Sequence, residues 1–129
     1  MSTSTPIFLS GFKAGADLSS SQYYAVKVST HPSVVVCTAA TDVPIGICYD
    51  KPTASGQGCN VAAFTPGSII KWKVGTAGIT AGPIGTDASG LAVTKTTDAE
   101  LVCARATKTW AAGDIAELIG VGPGIGWEF

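Results

Sequence analysis

Histidine and arginine each occur once in this chain, at His31 and Arg105, and charged residues of all kinds make up only 13% of it. Each scarcity excludes something. Soluble domains usually carry about 25% charged residues, so this surface must be built largely of Ser, Thr, Ala and Gly, which suits packing against another surface. The formal net charge is −1, and the lysines are scattered from Lys13 to Lys108. No Lys/Arg cluster is present to displace counterions from phosphates, so no direct nucleic-acid binding is expected. His31 precedes Pro32 in a turn, which leaves no histidine for a triad elsewhere. H-E-x-x-H, G-x-S-x-G and Cys/His clusters at ligand spacing are all missing, so neither a metal site, a cofactor nor an enzyme is expected. No apolar run approaches the roughly 20 residues of a membrane helix. The opening MSTSTPIFLSGFKAG lacks the basic start and long apolar core of a signal peptide. The expectation is a protein made in the cytoplasm without a signal peptide and without a membrane partner.

The four cysteines, Cys37, Cys48, Cys59 and Cys103, form no C-x-x-C pair. Each lies in a strand-like run (VVVCTA, IGICYD, GCNVAAF, ELVCARA), where a thiol behaves as a small hydrophobe. Buried thiols are expected, rather than disulfides or metal ligands.

At 129 residues the chain fits one domain with a self-supporting core. Residues 1–17 follow neither a helical nor a strand period, yet they carry an apolar cluster of Pro6, Ile7, Phe8, Leu9 and Phe12. Two courses are open to such a segment. It straps over the protein's own core, or it is an arm that docks on a neighbour, with a reach of up to about 55 Å when fully extended. From Gln22 onward, short apolar runs alternate with turn residues. QYYAVKV sets Tyr24, Val26 and Val28 against Tyr23, Ala25 and Lys27. SVVVCTA is a continuous apolar run of the kind buried on both faces. SIIKWKVG points Ile70, Trp72 and Val74 one way and Ile69, Lys71 and Lys73 the other. Breaks at Asp42 to Pro44, Lys51 to Gly58, Pro66-Gly67 and Gly75 to Gly78 recur at sandwich or barrel spacing. The expected fold is all-β, a small β-barrel or β-sandwich. It has an extended N-terminal arm over 1–17, a single β-domain over 18–129, and one short helical turn near Thr97 to Leu101.

The stretch ITAGPIGTDASG, from Ile79 to Gly90, is rich enough in glycine to suggest a phosphate loop. It lacks the Gly-Lys-Ser/Thr ending and the helix that a P-loop needs, and LAVTKTT follows it. A turn fits better: Asp87 bonds its own backbone and Gly90 takes a left-handed position. Asp42 and Asp50 flank one strand and Asp98 sits near Glu100, but nothing in the spacing converges a pair, so these aspartates read as turn caps. Trp72, Trp110 and Trp127 are three tryptophans in a small chain. Trp127-Glu128-Phe129 ends it, after GVGPGIG, a flexible or polyproline-like lead. Trp110, Trp127 and Phe129 are candidate anchors at an oligomer interface, and the apolar tail alternatively folds back onto the core.

The segment Asp17-Leu18-Ser19 to Val28, then VVVCTAATDVPIGICYDKP, a lysine-bearing strand and ITAGPIGTDASGLAV together resemble the small capsid decoration (cement) proteins of tailed bacteriophages. The shared marks are a Gly-Ile strand after Thr-Asp-x-Pro, an A-G-P segment, and T-D-A-S-G followed by small apolar residues. They cover most of residues 17 to 120. The resemblance implies a structural virion protein on the outer capsid surface that cements adjacent major capsid proteins and stabilises the head against DNA pressure. It implies self-association as a homotrimer, with a dimer the other possibility, and a capsid-binding arm formed by Pro6, Ile7, Phe8, Leu9 and Phe12. The alternative is a carbohydrate-binding head-fibre or adhesion module, in which Trp72, Trp110 or Tyr49 would be exposed near a polar residue such as Asp50. A small enzyme using Asp42, Asp50 or Cys59 is the remaining class.

Overall fold

The computed structural model describes residues 6–96 and 101–124. All regular structure among them is β, divided between two sheets. The first half of the chain builds one sheet from β1 (Phe8–Leu9), β2 (Lys13–Ala14), β3 (Ala25–Val28), β4 (Ser33–Val36), β5 (Gly46–Cys48) and β6 (Val61–Ala63). The second half builds the other from β7 (Ile69–Lys73), β8 (Gly82–Thr86), β9 (Ala92–Thr94), β10 (Val102–Ala106) and β11 (Ile115–Gly124). Their strand orders are β1-β6-β5-β3-β4-β2 and β7-β11-β10-β8-β9. The sequence expectation of an all-β barrel or sandwich matches this architecture.

The first sheet closes on itself. β1 pairs antiparallel with β6 at one end of the order, and β2 pairs parallel with β4 at the other. Those two end strands are one continuous stretch of chain. Between them the Cys59 amide donates to the Phe12 carbonyl (3.1 Å), the Ala14 amide to Gln57 (2.8 Å), and the Gly56 amide to Ala14 (2.8 Å). Residues 8–14 therefore run beside residues 56–63 on one side and reach β4 on the other, removing most of the open edge. Of the two courses open to residues 1–17, the described residues take the strap over the chain's own body. The reason is backbone accounting: each inward amide and carbonyl finds a ladder partner that a free arm would leave to water.

Closure creates two cores. Ala14, Leu18, Val26, Val34, Cys48, Cys59 and Val61 fill the interior of the closed sheet, with Leu9, Phe12, Val36 and Ile45 packed around them. The second core lies between the sheets. Ala25, Cys37, Ile47, Ala62 and Phe64 from the first half meet Ile70, Trp72, Val74, Ile84, Ala104 and Leu118 from the second. Consecutive residues thus serve different cores: Ala25 and Val26 on β3, Ile47 and Cys48 on β5, Val61 and Ala62 on β6. That is why β5 and β6 read as unbroken runs of small and apolar residues, and why the alternation of β3 does not separate a buried face from an exposed one. β7 has only one buried face, and Ile70, Trp72 and Val74 are buried there while Ile69, Lys71 and Lys73 are not.

The stretch from Asp87 to Gly90 is a turn that joins the two halves. Asp87 Oδ1 accepts the amides of Ser89 (2.7 Å) and Leu91 (3.0 Å), and Gly90 sits at φ +78°. The Gly90 carbonyl accepts two bonds, from the Ala25 amide (2.8 Å) on the first sheet and from Trp72 Nε1 (3.0 Å) on the second.

One sequence expectation meets a different outcome. GVGPGIG is not a loose lead over its first five residues, because β11 continues to Gly124, which pairs with Val102 beyond a register shift between Val102 and Ala104. The shift absorbs the misfit of a glycine-rich strand. The helical turn expected near Thr97 to Leu101 falls, apart from Leu101, outside the described residues.

Asp42 is a turn cap with an added ion pair. Its Oδ2 accepts the Thr38 amide (2.9 Å), the Ala39 amide (3.0 Å) and Lys27 Nζ (2.8 Å). The Lys27 bond first, then the Thr38 amide, hold its carboxyl below the ordinary value of 3.8. A depressed folded pKa contributes stability above the unfolded pKa and loses it as pH falls through the folded one. Asp42→Asn is therefore expected to lower stability at neutral pH by no more than about 1 kcal/mol. It should also flatten the acid limb of a thermal-stability profile below about pH 4, with the wild-type and variant curves converging at the lowest pH.

Candidate functional site

The N-terminal strap splits the expected arm residues by face. Leu9 and Phe12 turn inward onto the interior core. Pro6 is half-buried, while Ile7 and Phe8 remain 53% and 49% exposed. Phe8 is held by an edge-on contact with Tyr49, ring centroids 5.4 Å apart, and the Ala63 amide bonds the Ile7 carbonyl (2.9 Å). A backbone-anchored strand thus presents two large apolar side chains to solvent on a terminal strand of the sheet.

A second feature is an open cleft of about 600 Å³ in the second half of the chain, where Ile79 bridges to Trp110. Thr76, Thr80, Thr94 and Thr109 line it together with the half-buried Trp110. Lys108 Nζ stands 4.3 Å above the Trp110 ring, and the buried Nε1 has no hydrogen-bond partner among the described residues. Of the expected interface anchors only Trp110 can be placed, since Trp127 and Phe129 lie outside the described residues. Trp72 is fully buried. The Tyr49 ring packs against Phe8 and Tyr23, and its hydroxyl accepts the Lys71 amide (2.6 Å). Neither is an exposed sugar platform.

The third feature is a cluster that sequence spacing did not reveal. Cys48 Sγ and Cys59 Sγ lie 3.5 Å apart in the interior core, and these sulfurs and an Asp50 carboxylate oxygen all fall within 4.8 Å of one another. Cys48 and Asp50 are two residues apart at the end of β5, so they share a face. Cys59 arrives on the returning segment, where its own amide donates to the Phe12 carbonyl (3.1 Å) and, one residue on, the Asn60 carbonyl accepts the Tyr49 amide (3.0 Å). Asp50 is fixed by the Asn60 amide, which lies 2.9 and 3.2 Å from its two oxygens. The hydrogen bond between the sulfurs pulls the Cys48 thiol below its ordinary value and, joined by burial, pushes Cys59 well above it. Cys37 and Cys103 behave otherwise: burial pushes each up to about 12, the signature of inert thiols. All four cysteines are buried and unbridged. The signal in the sequence was the Cys-x-Asp alternation of a strand end followed by Cys59 after a turn, which only register converts into proximity.

His31 is exposed and packs edge-on against Phe12. Asp98 and Glu100 lie outside the described residues. No protein-family model matches the chain, and no curated protein matches it.

Proposed function

We propose that the chain is a structural virion protein that binds the outer surface of a phage capsid and cements adjacent major capsid proteins. The observation that carries this reading is the pair Ile7 and Phe8, roughly half exposed on a strand whose backbone is already anchored. Because the strand is preformed, docking it costs less ordering entropy than docking a loose arm. Self-association, as a homotrimer or a dimer, would multiply several such modest contacts into firm attachment. The low charge supports the same reading, since covering a surface with few charged groups avoids the large cost of burying unpaired charge.

The test is co-sedimentation with expanded capsids of the cognate phage that lack the protein. Half-exposed Ile and Phe side chains are worth about 1 kcal/mol each when buried, so Ile7→Ser/Phe8→Ser should bind at least about tenfold more weakly while remaining folded. Undiminished binding by the double variant would remove the basis of the proposal. Light scattering should give a mass near three times 13.0 kDa, or twice it for a dimer, and a monomer would count against self-association.

The threonine-lined cleft at Trp110 favours a second reading, a carbohydrate-binding head-fibre or adhesion module. In that reading the threonine hydroxyls bond sugar hydroxyls, and Lys108 leaves the Trp110 ring when a sugar stacks on it. A glycan array in which Trp110→Ala abolishes a signal given by the wild type would select it.

A further inference from the structure

The seam that closes the first sheet carries a chemical feature that the capsid reading does not use. We propose that Cys48, Cys59 and Asp50 form a three-ligand site for a thiophilic divalent cation, Zn²⁺, with its fourth coordination position open to the cleft beside the strap.

Four observations converge on it. The donor set is two sulfurs and a carboxylate, the combination that favours zinc over hard cations. The Sγ–Sγ separation of 3.5 Å is close to the edge of a tetrahedron with Zn–S bonds of about 2.3 Å, which is about 3.8 Å. The thiols therefore need no strand movement to become joint ligands. Asp50 is pre-oriented by the Asn60 amide, the outer support that ligating carboxylates normally have. An entry path exists: Asp50, Cys59 and Asn60 line an open cleft with Leu9, Phe12 and Lys13. Cys48 is sealed in the core behind them. On binding, each thiol passes its proton to the buffer as its sulfur–metal bond forms, and a water molecule fills the position facing the cleft.

The placement assigns a consequence. Cys59 lies where its amide bonds the Phe12 carbonyl of the strap, and Cys48 and Asp50 close the end of β5. The metal would thus tie β5 to the segment that holds the strap. This inference stands apart from the capsid reading, and either one survives the failure of the other.

The experiment uses the full chain, purified with a non-chelating reductant, stripped with a chelator and titrated with Zn²⁺ and separately with Co²⁺. Native mass spectrometry should find one zinc per chain. The Co²⁺ form should show a sulfur-to-metal charge-transfer band and the intense visible bands of four-coordinate geometry. Cys59→Ser should lose both signals and Cys37→Ser should keep them. Asp50→Asn, which leaves the core side chains intact, should weaken Zn²⁺ binding by roughly tenfold or more, at least the effect of an outer-shell partner. Should Cys59→Ser not fold, wild-type thiol counting decides: zinc should shield Cys48 and Cys59 from a thiol reagent in mildly loosened protein and leave Cys37 and Cys103 unprotected. Four results overturn the site: no metal on the reduced, folded chain; metal kept by folded Cys59→Ser; a weak six-coordinate Co²⁺ spectrum; or equal labelling of all the thiols with and without zinc.

Discussion

Trp72→Ala is expected to lower the unfolding free energy by about 3–5 kcal/mol, the range for emptying a large aromatic site in a packed core. Trp72 is wholly buried on β7 and faces Phe64 across the two sheets at 5.3 Å between ring centroids. It is among the largest fully buried side chains, so its removal leaves a void that small neighbours such as Ala25, Ala104 and Ala116 are too short to fill. The loss of the Nε1 bond to the Gly90 carbonyl adds a smaller share, about 1 kcal/mol, because that oxygen keeps the Ala25 amide as a donor. Trp72→Phe separates the two contributions, retaining most of the volume without the hydrogen bond, and should fall well short of the alanine variant. Urea unfolding checks this through a lowered midpoint at constant slope. A Trp72→Ala loss below about 1 kcal/mol would mean that the two sheets do not share this core.

Gly90→Ala should cost roughly 2–5 kcal/mol although it adds a single methyl group. Two terms add. The backbone at φ +78° penalises any side chain by about 1–2 kcal/mol. The new methyl carbon would stand 2.6 Å from Val36 Cγ1 and 3.0 Å from the Ala25 carbonyl oxygen, an overpacking worth about 1–3 kcal/mol more. Gly56→Ala isolates the first term, since Gly56 also has a positive φ, +91°, but meets nothing within 4 Å. It should lose only about 1–2 kcal/mol. Equal losses at the two positions, read from melting curves, would show that the contact across the turn is loose. Because Gly90 accepts the Trp72 indole, Gly90→Ala and Trp72→Phe should also combine non-additively.

The particular elements show how far local pattern reaches. SIIKWKVG was legible because β7 has one buried face, so its alternation translates directly into Ile70, Trp72 and Val74 in the core. AVKV was half legible: the period was right, but Ala25 and Val26 are both buried, and no alternation signals a strand that serves two cores. The Asp87–Gly90 turn was readable from the preferences of Asp and Gly, yet the double acceptance at the Gly90 carbonyl was not, since its donors come from residues 25 and 72. The leader shows the same limit. Its apolar cluster marked Ile7, Phe8, Leu9 and Phe12 as a group, and only the pairing with residues 56–63 divides them into outward and inward members.

Composition and period-two patterning alone therefore determined the class of the molecule: an all-β chain with few charges and buried thiols. These are properties of each residue's own conformational preference and transfer free energy, which a linear sequence records. The tertiary structure decided everything that depends on which distant segments meet. It closed the first sheet through the strap, made one glycine carbonyl the junction between the sheets, and brought Cys48, Asp50 and Cys59 within reach of a single ion. Register is set by hydrogen bonds between strands far apart in the chain, and a shift of one residue would send each of those side chains to the opposite face.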